Sequence, residues 1–155
     1  MINVLMVCTA NICRSPMAEI VATQLAQRYG LSQKIYFESA GTHASKSKMP
    51  IDSRAVAVLE RRGYAVKKMR SRTIELKDFQ CFDLILAMDN KNYNELLRIC
   101  PSESKRKLKM FLAESKEIDS KEVPDPYYGN GEGFERVLDL CEVGVQGLLR
   151  STVAY

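Results

Sequence analysis

The sequence predicts an α/β fold built on a parallel sheet, and two observations carry that prediction. Strand-like apolar runs alternate along the chain with segments of helical periodicity, as they do where helices pack on parallel strands. Two of the runs, Ile2–Val7 and Leu84–Ala87, are apolar at nearly every position. Strands covered on both faces read this way. The 155 residues contain no low-complexity spacer and fit one domain, 1–155, with room for a substantial core.

Ile2–Val7 forms the first strand and leads into Cys8-Thr9-Ala10-Asn11-Ile12-Cys13-Arg14-Ser15-Pro16. Ser15 is placed to cap the helix that follows, with Pro16 in its first turn. Met17, Ile20, Val21, Leu25 and Tyr29 recur at helical spacing, and Gly30 ends the run. Ile35–Glu38 is a short second strand opening into Ser39-Ala40-Gly41-Thr42-His43. Asp52 or Ser53 caps a helix running to Arg62, with Val56 and Leu59 facing inward and Gly63 as its stop. Tyr64–Val66 reads as a short strand or an extended edge, and the stretch from Arg70 to Gln80 as a turn plus one or two helical turns around Asp78. Asp83–Met88 is a core strand, Asn90–Cys100 a helix closed by Pro101, and Lys107–Leu112 a fourth strand. Two prolines flank Asp125 in a polar loop and restrict the backbone on both sides of it. Gly129-Asn130-Gly131-Glu132-Gly133 follows no strand and reads as a turn, not a nucleotide loop. The last helix, from about Glu132 to Arg150, carries an apolar stripe that includes Phe134, Val137, Leu138, Cys141 and Val145.

Composition removes several function classes. No apolar run approaches the about 20 residues that cross a membrane, and the N-terminus has no basic segment of a signal peptide, so the expected location is cytoplasmic. Five cysteines without a C-x2-C pair fit neither a disulfide framework nor a zinc site, and one histidine, His43, argues against a His-rich metal centre. Cys81, Cys100 and Cys141 lie on apolar stretches and are expected in the core. The net charge of +4 mildly favours anionic partners. Its clusters, Lys67-Lys68-Met69-Arg70-Ser71-Arg72 and Lys105-Arg106-Lys107-Leu108-Lys109, lack the interleaved aromatics of a nucleic-acid surface.

The chemistry concentrates at Cys8. A loop between a strand and a helix N-terminus converges backbone N–H groups on an anion, and the helix dipole adds positive potential. Arg14 adds a planar fork for two oxygens, and such surroundings favour the thiolate form of a cysteine. The pattern is a nucleophile facing a phosphate-shaped hole. Asn11 tolerates a left-handed backbone conformation. The Ser15 hydroxyl can donate to the Cys8 sulfur. Attack on phosphorus requires a proton for the leaving oxygen, and Asp125 on its loop is the candidate donor, returning as base when water attacks the phosphoenzyme. No metal or cofactor is required. Parallel sheets place ligands at the carboxyl ends of their strands, where the Cys8 loop and the Asp125 loop both open.

Cys8-Thr9-Ala10-Asn11-Ile12-Cys13-Arg14-Ser15 together with Asp125-Pro126-Tyr127-Tyr128 resembles the low-molecular-weight protein tyrosine phosphatases. The resemblance covers the whole chain, including Ser39-Ala40-Gly41-Thr42 and Pro50-Ile51-Asp52-Ser53-Arg54. It implies three layers, with a four-stranded, doubly wound parallel sheet flanked by helices on both faces. It also implies a phosphocysteine intermediate. By position it assigns Cys8 as nucleophile, Arg14 as phosphate binder and Asp125 as general acid, with Thr9, Ala10, Asn11, Ile12 and Cys13 forming the phosphate loop. Asn11, Ser15 and Ser39 match loop-supporting residues, and Tyr127 and Tyr128 match aromatic positions beside the mouth. Cys13 matches a thiol that forms a reversible disulfide with the nucleophile. The implied partners are phosphotyrosine proteins, a cognate tyrosine kinase among them; the expected state is a monomer or weak dimer.

Three positions depart from the family pattern. Ala10 replaces a common glycine, Met69 stands where many relatives carry a loop-supporting His, and Ser45 falls where many place an aromatic wall. Two rival functions remain. A thiol-dependent arsenate reductase of the same fold needs two further cysteines, but Met88 stands seven positions after Cys81. A non-catalytic phosphopeptide- or anion-binding module would keep Arg14 without needing Cys8 and Asp125 together.

Overall fold

The computed structural model describes residues 1–153, so the last two residues of the expected domain lie outside the described residues. Four parallel strands, β1 (Ile2–Cys8), β2 (Ile35–Gly41), β3 (Leu84–Ala87) and β4 (Leu108–Met110), form a sheet in the order β2-β1-β3-β4. The helices are α1 (Arg14–Arg28), α2 (Ser53–Arg61), α3 (Asp78–Cys81), α4 (Asn90–Ile99) and α5 (Gly131–Val153), with a 3-10 segment at Ser102–Lys107.

Alternation along β1 divides the core. Val4, Met6 and Cys8 face a large apolar cluster with Met17, Val21, Phe134, Leu138 and Cys141 of α1 and α5. Leu5 and Val7 face a smaller one with Phe79, Ile85 and Leu96 on the α3 and α4 side. The three-layer, doubly wound arrangement is therefore present. From β1 the chain winds outward to β2, then returns to the other side of β1 for β3 and β4. The order reverses between β1 and β3, which puts the ligand crevice at the carboxyl ends of those two strands.

Several local expectations are corrected. The first helix begins at Arg14 with Cys13 at its cap and no side-chain capping bond, so Ser15 sits inside the helix and its hydroxyl is used elsewhere. Asp52, not Ser53, caps α2 by accepting from Arg54 N at 2.8 Å. Ala55, Val58 and Leu59 take the buried stripe of α2 and leave Val56 half-buried. Tyr64–Val66 forms no strand: Gln24 satisfies both the N–H and the carbonyl of Ala65 in place of a ladder partner. Cys81 is exposed because the single turn of α3 points Asp78 and Phe79 inward. Cys100 and Cys141 are buried as expected. The strand expected over Lys107–Leu112 narrows to β4, and α5 starts a residue earlier and ends three later than expected. No helix among the described residues is long and apolar enough to cross a membrane.

Candidate active site

β1 delivers Cys8, nearly fully buried, to the loop that precedes α1. The carbonyls of that loop are turned outward. Those of Cys8, Thr9, Ile12 and Cys13 accept from the backbone N–H groups of Thr42 (2.9 Å), His43 (2.8 Å), Asp52 (2.9 Å) and Met17 (3.1 Å). Among the described residues no protein acceptor takes the N–H groups of Thr9 to Cys13. Those N–H groups are left for a ligand, an anion-binding nest at a helix N-terminus. Asn11 adopts φ 59°, the left-handed turn expected of it. Ala10 does not share it, so its methyl group is accommodated without backbone strain. Gly41 lies so close that a Cβ there would collide with the Thr9 carbonyl, which is why β2 ends on glycine.

A network of side chains holds the thiol. Ser15 Oγ lies 3.0 Å from Cys8 Sγ. Asn11 Nδ2 donates to Ser15 Oγ (2.8 Å) and Ser39 Oγ (3.0 Å), leaving the Ser15 hydrogen free to point at sulfur or at the Ala40 carbonyl, 3.3 Å away. Asn11 Oδ1 accepts from Arg72 N at 3.0 Å, which ties the loop to the segment carrying Met69. Met69 itself packs against the larger core cluster. Polar support beside Ser39 comes instead from the buried Glu19, whose carboxylate is 3.3 Å from Lys67 Nζ. Burial raises the Glu19 carboxyl above its ordinary range, against the opposing influence of Ser39 and Lys67.

Arg14 is only 2% exposed. Its Nη1 donates to Asp89 Oδ2 (2.6 Å) and the Val123 carbonyl (3.0 Å), while Nη2 lies 3.4 Å from Thr9 Oγ1 and 3.6 Å from Asp125 Oδ2. Burial disfavours its charge, yet the negative charge of Cys8 and the Asp89 hydrogen bond outweigh that and hold it above the ordinary arginine value. Breaking a buried pair of this kind costs about 3–5 kcal/mol, so Asp89 fixes the fork as well as neutralising it. Sequence reading missed Asp89. Its signal was positional, an acid directly after β3 at the switch point, where it also caps α4 through Asn92 N. Asn92 was missed too: its Nδ2 donates to Thr9 Oγ1 at 3.0 Å.

Cys8, Thr9, Ala10, Asn11, Ile12, Cys13, Arg14, Asp125, Tyr127 and Tyr128 line one cleft of about 310 Å³. The expected residues are thus brought together, with Ser15 and Ser39 behind the loop. Asp125 is about half exposed and accepts from Tyr127 N at 3.0 Å. The two tyrosine rings meet edge to face at 5.0 Å. Ser45 is exposed, with its hydroxyl on Ser47, and does not line the cleft. Burial, with Asp52 and Cys8 nearby, pushes the Cys13 thiol up to about 12, so it stays protonated at neutral pH. No group of three or more His, Cys, Asp or Glu side chains suited to a metal occurs among the described residues.

Comparison with known proteins agrees with this geometry. The family model described as low molecular weight phosphotyrosine protein phosphatase matches residues 3–154. A low molecular weight protein-tyrosine-phosphatase of Bacillus subtilis is 38% identical, over 97% of this chain and 96% of its own length. The low molecular weight phosphotyrosine protein phosphatase of Homo sapiens is 36% identical, over 90% and 88%. A crystal structure of a protein tyrosine phosphatase from Entamoeba histolytica, with Hepes in the active site, superposes with a TM-score of 0.95 at 41% identity and covers 99% of this chain and 98% of that one. The chain belongs to the low molecular weight phosphotyrosine protein phosphatases, a family of hydrolases.

Proposed function

We propose that this protein hydrolyses phosphotyrosine in proteins, and small aryl phosphates, through a phosphocysteine intermediate on Cys8. One observation carries the reading: thiol, buried guanidinium and half-exposed carboxylate line a single cleft whose loop N–H groups are left for an anion. Cys8 Sγ attacks phosphorus while the bond to the phenolic oxygen breaks, and the Asp125 carboxyl gives that oxygen its proton. Water then attacks the phosphoenzyme, the S–P bond breaks, and the Asp125 carboxylate takes the proton from water. Arg14 and the loop N–H groups hold the equatorial oxygens as charge redistributes. The Ser15 hydroxyl stabilises the sulfur as attacking and leaving group. The rings of Tyr127 and Tyr128 offer the apolar flank against which an aryl group packs.

The test is turnover of p-nitrophenyl phosphate without added metal. It should persist in EDTA and be blocked by vanadate; loss in EDTA would refute the reading. Physiological substrates are then phosphotyrosine proteins, with a cognate tyrosine kinase as a candidate, captured by a Cys8→Ser trap. An arsenate-reducing relay is not favoured. Cys81 lines a different groove, with Glu38, Arg72 and Asp78, and Met88 is fully buried.

Redox control is part of the proposal. Peroxide oxidises the Cys8 thiolate to a sulfenic acid, and the Cys13 thiol then forms the S–S bond with loss of water. Mild peroxide should inactivate the enzyme reversibly, with full recovery in dithiothreitol. Cys13→Ser should lose activity irreversibly. Equal irreversible loss in both proteins would remove Cys13 from this role.

A further inference from the structure

Arg54 joins two parts of the cleft that the covalent chain keeps far apart. Its Nε and Nη2 donate to the two Asp52 carboxylate oxygens at 3.0 and 2.8 Å, and Nη1 donates to the Tyr127 carbonyl at 3.1 Å. Its guanidinium carbon lies 4.7 Å from the centre of the buried Phe134 ring and 5.2 Å from that of Tyr127, within reach of both π-faces. On one side, Asp52 N donates to the Ile12 carbonyl of the phosphate loop. On the other, Tyr127 N donates to the Asp125 carboxylate. A continuous path therefore runs from the phosphate loop through Asp52, Arg54 and Tyr127 to the proton donor.

The acid loop has few other restraints along its exposed length. Val123 is anchored before it, by its N–H on the Met88 carbonyl and its own carbonyl on Arg14. Within the loop Pro124, Asp125, Tyr127, Tyr128 and Gly129 are all exposed, and only Pro126 is buried. The hydrogen bond to the Tyr127 carbonyl and the stacking on the Tyr127 ring, both from one guanidinium that itself rests on Phe134 of α5, are thus a large share of its restraint, beside the Gly129 N–H on the Pro126 carbonyl and the approach of Asp125 to Arg14. The Arg54 hydrogen bonds in turn hold the Asp52 carboxyl below its usual range, which keeps the anchor charged.

We infer that Arg54 is a positioning residue for catalysis: it clamps the Asp125 loop over the phosphate loop, so that the carboxyl stands where the leaving oxygen needs its proton. The inference rests on the phosphocysteine reading above. Arg54 touches neither the thiol nor the phosphate site in this arrangement, so its loss should impair proton donation specifically. A displacement of about 1 Å at a reacting group can cost about a hundredfold, and loosening the loop should produce part of that.

The experiment compares kcat/KM for phenyl phosphate, whose leaving group needs a proton, with 2,4-dinitrophenyl phosphate, whose leaving group does not. Arg54→Met keeps the apolar stem against Phe134 and removes the fork. It should lose about 10-fold or more on phenyl phosphate and far less on the dinitrophenyl ester. Arg54→Lys keeps a charge but not the planar fork, and should fall between Arg54→Met and wild type. Adding Arg54→Met to Asp125→Ala should cost little further on phenyl phosphate, because both changes act on one proton transfer. Equal losses on both esters, no loss on either, or full additivity with Asp125→Ala would overturn the clamp. So would a change confined to KM for phosphopeptides, which would make Arg54 a substrate contact instead. If Asp125→Ala itself shows no leaving-group dependence, the acid assignment fails and the clamp falls with it. If Asp125→Ala shows it and neither Arg54 variant does, only the clamp fails.

Discussion

Cys8→Ser should reduce turnover of aryl phosphates by on the order of 10⁴–10⁶-fold, the scale at which removing a covalent nucleophile leaves only binding and electrostatic stabilisation. A serine hydroxyl is neutral near pH 7 and has no adjacent base here: its neighbour at 3.0 Å is the Ser15 hydroxyl. The nest and Arg14 are untouched by the change, so the variant should still bind phosphotyrosine peptides and vanadate. Steady-state assay, paired with titration of a phosphotyrosine peptide, separates the two properties. Normal turnover by Cys8→Ser would end the covalent mechanism, and loss of binding together with turnover would mean that the sulfur also shapes the anion site.

Asp125→Ala should lower kcat/KM by about 10²–10⁴-fold for phenyl phosphate, the usual worth of a positioned general acid, and by much less for esters of acidic phenols. The residue is about half exposed, and its oxygen stands 3.6 Å from Arg14 Nη2 at the edge of the phosphate site. Removing it should therefore leave the fold and phosphate affinity nearly intact, because Arg14 keeps its bonds to Asp89 and Val123. An unchanged rate with phenyl phosphate would remove Asp125 as the donor. These effects are kinetic, so thermal denaturation of both variants should track wild type closely.

Much of the site was legible because it is local in the chain. The loop from Cys8 to Arg14 lies between one strand and one helix, and Asn11 took the left-handed turn that its side chain tolerates. The Asp125 loop was marked by its flanking prolines. What escaped were groups that act across long separations: Asp89 on Arg14, Asn92 on Thr9, Glu19 beside Ser39, and Arg54 between Asp52 and Tyr127. Ser15 illustrates the limit from the other side. Its residue type and position fit a helix cap, but a buried thiol and the Asn11 amide offered its hydroxyl a different set of partners. Tyr64–Val66 and Cys81 failed for related reasons. Whether an apolar tripeptide pairs, or a cysteine is buried, depends on which neighbours the rest of the fold supplies.

The amino-acid order by itself determined the alternation of strands and helices, through periodicity, and it marked Cys8, Arg14 and Asp125 as the candidate nucleophile, phosphate binder and proton donor, through a C-x5-R loop between a strand and a helix and an Asp held between two prolines. Only the tertiary structure decided how Arg14 is neutralised and aimed, how the loop is supported with Met69 in the place of a histidine, and which side chains join the Asp125 loop to the phosphate loop. Those outcomes depend on contacts between residues dozens of positions apart. They exist only once the sheet order β2-β1-β3-β4 brings the ends of β1 and β3 to the same crevice.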